Sequence, residues 1–66
     1  MYVQKYYCGR DVRRALLDAI DDVNKEFGRT VLRYGCGLYT PGQPQEITVV
    51  GETEEFVRYL HEKIWG

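Results

Sequence analysis

Apolar residues dominate "YVQKYYC" (residues 2–8), broken only by Gln4-Lys5, and the run is rich in aromatic and β-branched types, which predicts a strand. Tyr2, Tyr6 and Cys8 fall on one side of it and Val3, Lys5 and Tyr7 on the other, and the pattern alone does not say which side meets the core. The period changes after Gly9. Val12, Leu16, Ala19, Ile20, Val23 and Phe27 recur at helical spacing, predicting an amphipathic helix over residues 12–27 with Asp11 as N-cap and Gly28 as its left-handed stop. Alternation returns over residues 30–39. Leu32, Tyr34, Cys36 and Leu38 form the bulkier set and are expected to face the helices, with Val31, Arg33, Gly35, Gly37 and Tyr39 facing outward. Pro41-Gly42 fits the centre of a type II turn, since proline sets a negative φ and glycine accepts a positive one. Residues 45–50, "QEITVV", make the return strand, with Pro44 at its start or on an edge because it cannot donate to a ladder. Thr53 caps a last helix with Glu54 and Glu55 in its first turn. Phe56, Val57, Leu60 and Ile64 are its buried stripe, and Trp65 closes the chain.

The element order is therefore β-α-β-β-α in one domain, residues 1–66. The expected fold is α+β: two layers, with two helices packed on one face of a three-stranded sheet. Strand order stays open. The first crossover is right-handed if strands one and two lie parallel in the same sheet. Gly35 and Gly37, on the outward face of the second strand, mark either a bulge or a place where another chain comes close, and the bulge is the reading adopted.

Composition narrows the function classes. A chain of 66 residues buries only about 60% of the surface its unfolded form exposes, which leaves no room for a deep cleft between domains. Nine basic and ten acidic residues give a net charge of −1, so no global field draws it to nucleic acid or to a membrane. No apolar run reaches spanning length, and the N-terminal stretch lacks the basic-then-apolar layout of a signal peptide, which points to a cytosolic protein. Cys8, Cys36 and His61 are too few for a structural zinc site, and no metal or cofactor is expected. A disulfide between the two cysteines requires their strands to be neighbours. His61, beside the apolar stripe of the last helix, reads as a partly exposed structural histidine.

Three constellations are candidate sites. Cys8 stands six residues before Arg14, between a strand and a helix, which is the layout of a phosphate loop with a cysteine nucleophile. With six arginines among 66 residues that spacing arises readily by composition, and catalysis here is the remote alternative. The charge layout of the first helix says more. Arg10, Arg13 and Arg14 crowd its N-terminal end while Asp18, Asp21, Asp22 and Glu26 occupy its C-terminal half, both against the helix dipole. Pairs Arg14–Asp18 and Asp21–Lys25 are expected to return part of that cost. A face that opposes its own helix is either simply solvated or reserved for a partner. Arg10, Arg13 and Arg14 would meet phosphate or acidic side chains, and the acidic ridge with Asp18 and Asp22 would meet a basic protein or mimic DNA. The third candidate is the sheet face without helices, expected to carry Arg33 and Tyr39 with Lys5 and Tyr7 or with Tyr2 and Tyr6. That surface suits a second copy of the chain, a partner protein, or stacking on single-stranded nucleic acid.

"ITVVGETEEFVRYLHEKI" (residues 47–64) resembles the last strand and helix of the DinI-like family, small bacterial and phage proteins of the DNA-damage response, including Gly51-Glu52-Thr53 at the junction. "LLDAIDDVNKEFGRTVLRYG" is similar to that family's first helix and second strand. The resemblance implies the same β-α-β-β-α order, a bacterial or phage source, and modulation of a recombinase filament through acidic helix residues, which here are Glu54, Glu55 and Glu62. The expectation is a non-enzymatic protein-binding module, a regulator or inhibitor acting as a homodimer, with nucleic-acid binding as the alternative.

Overall fold

A computed structural model describes all residues, Met1–Gly66. The chain runs β1 (Tyr2–Cys8), α1 (Arg10–Phe27), β2 (Leu32–Cys36), β3 (Gln45–Gly51) and α2 (Glu54–Trp65). The two helices cover one face of a three-stranded sheet in the order β1-β3-β2. The last strand in sequence is thus the middle one in space. Both of its ladders are antiparallel: Tyr2 lies opposite Gly51 and Cys8 opposite Gln45 on one side, and Leu32 opposite Gly51 and Cys36 opposite Ile47 on the other. β1 and β2 consequently run parallel, separated by β3. No helix is long and apolar enough to cross a membrane.

Alternation decides the faces. Ile47 and Val49 of β3 are fully buried, and with Cys8, Leu16, Ile20, Val23, Leu32, Val57 and Leu60 they form the core. Register then sets Tyr2, Gln4, Tyr6 and Cys8 inward and Val3, Lys5 and Tyr7 outward, resolving the ambiguity of the first strand. Tyr6 reaches the C-terminal end of α2, where it is hydrogen-bonded to His61 and stacks on Trp65 at 6.2 Å between centroids. His61 is partly exposed, as expected. Burial, with Tyr2 and Cys8 close by, pushes the Tyr6 phenol up to about 12.

The turn chemistry holds. Gly28 (φ 67°) and Gly42 (φ 81°) are the two residues with positive φ, and Gln43 N–H donates to Thr40 O at 3.0 Å across the Pro41-Gly42 turn. Pro44 sits at the entrance to the central strand, not on an edge strand. Thr53 is the N-cap of α2, without a side-chain cap bond.

Several expectations are corrected. α1 starts at Arg10 with Gly9 as its N-cap, because Arg13 N–H already closes the first helical bond onto Gly9 O at 2.9 Å; Asp11 lies inside the first turn. Val12 and Phe27 are exposed, and Phe27 packs edge-on against Phe56 at 5.0 Å instead of entering the core. β2 covers residues 32–36 and not 30–39. Val31 is buried, not outward: its N–H and that of Leu32 both donate to Asn24 Oδ1, and Asn24 Nδ2 donates back to Leu32 O. There is no bulge. The register is unbroken from Leu32 to Cys36, and Gly37 N–H continues it onto Glu46 O at 2.8 Å.

α1 leaves the sheet at the Cys8 end of β1 and ends with Asn24 locked to the Leu32 end of β2. It therefore crosses the sheet diagonally, and the far end of β2 stays bare. Tyr34 and Cys36 lie on the helix side as expected but are exposed, and Leu38, beyond the end of the strand, is 96% exposed.

Two substitutions test these contacts by urea unfolding. Asn24→Ala strands the N–H groups of Val31 and Leu32 and is expected to cost about 2 kcal/mol or more. Gly51→Ala sets a methyl 2.9 Å from Val57 Cγ2 and 3.0 Å from Thr53 O, and is expected to cost about 1–3 kcal/mol. Gly35→Ala, which meets nothing within 4 Å, serves as the neutral control.

Candidate functional site

The N-terminal turn of α1 has cationic side chains and free backbone donors together. Gly9 offers no side-chain cap, so the first N–H groups of the helix keep the partial positive charge of its dipole. Arg10, Arg13 and Arg14 add full charges there. The ion pairs of the molecule are Lys5–Glu46, Arg29–Glu52, Arg58–Glu54 and Lys63–Glu26, so none of these three arginines is matched by a carboxylate. The expected Arg14–Asp18 and Asp21–Lys25 pairs do not form. Both are fully solvated i,i+4 partners whose attraction is too small to hold two long side chains in one rotamer.

A groove of about 810 Å³ opens beside this turn. Cys8, Gly9, Arg10 and Arg13 form one wall; Tyr39 and the segment Gly42–Gln45 form the other. Gln45 holds the second wall in place, its Nε2 donating to Gly37 O at 2.8 Å. Arg13 is half-buried, and its Nε is shielded from solvent without a hydrogen-bond acceptor. A second hollow of about 420 Å³, lined by Arg10, Arg13, Arg14 and Leu17 with Asp11 and Asp18, adjoins the first.

This geometry redistributes the candidate residues. Arg10 and Arg13 come together with Tyr39, which was expected on the open sheet face beside Arg33. The strand ends at Cys36, so Tyr39 no longer follows its alternation and turns to the groove. Arg33 is outward as expected but stands near the opposite end of the sheet, in a hollow with Met1, Val50 and Glu52. Asp18 and Asp22 are exposed on α1, beyond the groove. Glu54 is paired with Arg58 at 3.0 Å, whereas Glu55 and Glu62 are exposed and carry no ion pair.

The remaining constellations are weaker. Arg10 through Arg14 are helical, so the five residues after Cys8–Gly9 do not curl into a loop around an oxyanion. Cys8 is 4% exposed and burial pushes its thiol up, the reverse of an activated nucleophile. β3 separates Cys8 from Cys36, and both thiols are free. On the outer sheet face Tyr2 and Tyr6 are absent, having turned inward, and Lys5 and Tyr7 both engage Glu46, at 3.6 and 3.3 Å. One tyrosine and one carboxylate make a poor stacking platform for bases.

The second wall of the groove was invisible to pattern reading. It depends on a contact between residues some thirty positions apart, and its backbone ends in ordinary turn chemistry. The glutamine that anchors it, Gln45, is the one buried polar residue.

Comparison with known proteins finds no matching family model, no matching curated protein and no matching solved structure.

Thiol alkylation tests the geometry of the Cys8 end. In dilute native protein Cys36 is expected to react as an ordinary exposed thiol and Cys8 about tenfold or more slower, with peptide mass mapping as the readout. Equal rates would mean that the groove opens onto a reactive Cys8.

Proposed function

We propose that this protein is a non-catalytic binding module that takes an acidic segment of a partner protein in the groove between the start of α1 and residues 39–45. The observation that carries this reading is the set of arginines without carboxylate partners, Arg10, Arg13 and Arg14, at an uncapped helix start that lines the largest concavity beside Tyr39. A carboxylate entering the groove would meet the helix N–H groups and the orphaned Nε of Arg13. Tyr39, 68% exposed, supplies apolar area at low conformational cost, the usual anchor of a protein contact. A raised thiol at Cys8 fits binding better than chemistry.

A second reading follows the DinI-like resemblance: contact with a recombinase filament through α2. Its support is the element order, which matches what that resemblance implies, and the exposure of Glu55 and Glu62. It uses the opposite charge on a different helix, so one experiment separates the two.

The test is an amide-shift titration of the labelled protein with an Asp/Glu-rich peptide containing one aromatic residue, run beside oligothymidylate and inorganic phosphate. The peptide is expected to move the amides of Gly9–Arg14 and Tyr39–Gln45, and Arg13→Ala to weaken it about tenfold, with added salt acting in the same direction. Absence of shifts in that set, or tighter binding of oligothymidylate there, would overturn the reading. A Lys/Arg-rich peptide shifting Glu55 and Glu62 would favour the second one.

A further inference from the structure

The bare corner of the sheet has a feature that the groove does not use. In β2, Val31 O accepts from Glu52 N–H and Gly37 N–H donates to Glu46 O, both toward β3. Backbone groups alternate sides along an antiparallel strand, so Val31, Arg33, Gly35 and the N–H of Gly37 bond inward to β3 while Leu32, Tyr34 and Cys36 point their N–H and C=O to the open edge. Asn24 occupies the edge at Leu32, taking its N–H at 2.9 Å and giving to its C=O at 3.0 Å. The edge is therefore closed at Leu32 and open from Tyr34 onward.

Native edge strands are blunted by lysine, proline, a bulge or a covering element. Tyr34–Leu38 has none of these. Its register is unbroken to Cys36, no helix covers it, and its apolar side chains are exposed: Tyr34 at 49% and Leu38, just past the strand end, at 96%. The segment Tyr34-Gly35-Cys36-Gly37-Leu38 also reads nearly the same in both directions: large apolar, glycine, cysteine, glycine, large apolar.

We propose that a second copy of this chain pairs antiparallel along the β2 edge, with the two-fold axis through Cys36, making one continuous six-stranded sheet. This goes beyond the groove and does not depend on it. The register follows from the blocked edge: pairing Cys36 with Cys36 puts Tyr34 opposite Leu38 of the other copy and stops short of the Asn24 bridge at Leu32. The edge-facing N–H and C=O of Tyr34 and Cys36 then find partners, with Leu38 of the other copy extending its strand opposite Tyr34. On the helix side, two Tyr34–Leu38 pairs cover the exposed apolar surface. On the outer side Gly35 and Gly37 meet as a bare floor. Arg33 of each copy points across it toward Glu46 of the other, which lies next to Gly37. The interface is isologous and falls at the small end of the specific range, so the dimer is expected to dissociate on dilution.

Sedimentation equilibrium is the test. The mass is expected to rise with concentration from 7.7 kDa toward twice that value. Diamide, which takes up two electrons and two protons as the thiols join, is expected to give a Cys36–Cys36 crosslink. Cys36→Pro removes an edge-facing N–H while sparing the ladder to β3, so it is expected to fold by circular dichroism and stay monomeric. Leu38→Asp, at a position 96% exposed, keeps the fold and is expected to weaken the dimer about tenfold or more, which covers the case of a misfolded proline variant. Arg13→Ala leaves the mass profile unchanged. A wild-type protein that stays monomeric to about millimolar concentration would overturn the proposal. So would a dimer that survives Cys36→Pro in folded form or Leu38→Asp.

Discussion

Strand β3 is the hydrogen-bonding partner of both other strands, and its side chains set the face on which everything else packs. Ile47 and Val49, fully buried, point to the helices, while Glu46, Thr48 and Val50 point away. Because side chains alternate with period two, a slip of one residue in either ladder would turn the core set outward. Gly51 then ends β3 against Val57 and Leu32, with so little space that the start of α2 is held directly over the strand end. The register of both neighbours and the placement of α2 thus trace to one seven-residue strand.

The second constraint is the path of α1. It begins immediately after β1 and must finish where Asn24 can serve Val31 and Leu32, on the far side of β3. A helix on that diagonal covers the sheet unevenly. At its start it leaves an uncapped turn with Arg10 and Arg13 beside the β2–β3 connection, which makes the groove. At its end it is already over β2, so the corner carrying Tyr34 and Cys36 has no lid. Both candidate surfaces result from one route across the sheet.

Local chemistry made part of this legible in advance. Gly28 and Gly42 announced their backbone conformations, Pro41-Gly42 its turn, and Leu16, Ala19, Ile20, Val23, Val57 and Leu60 their burial. The two-layer α+β arrangement followed from those periods. What stayed hidden was long-range. Nothing in "LRYGC" tells that a helix will pass over Leu32 and miss Tyr34, and alternation alone assigns both to the core. Tyr39 was misplaced for a related reason: period-two reasoning was carried beyond the point where hydrogen bonding stops. Asp11 lost the cap to Gly9 because the strand ends so close to the helix that backbone geometry, not side-chain preference, chose the first residue. The arginines were visible as a cluster, but the wall they face was not.

The pairing of β1 also dictates an order of events. β1 is made first, yet its only strand partner, β3, begins at Gln45, and Tyr6 completes its surroundings only with His61 and Trp65 at the other end of the chain. During synthesis the first strand must therefore wait as an unpaired aromatic segment until β3 and α2 have emerged. The β2–β3 hairpin and α1 can associate sooner, since the Asn24 contacts span only seven or eight residues. The contacts of α1 with β2 are thus short-range in sequence, and those of β1 with β3 and α2 are the long-range ones.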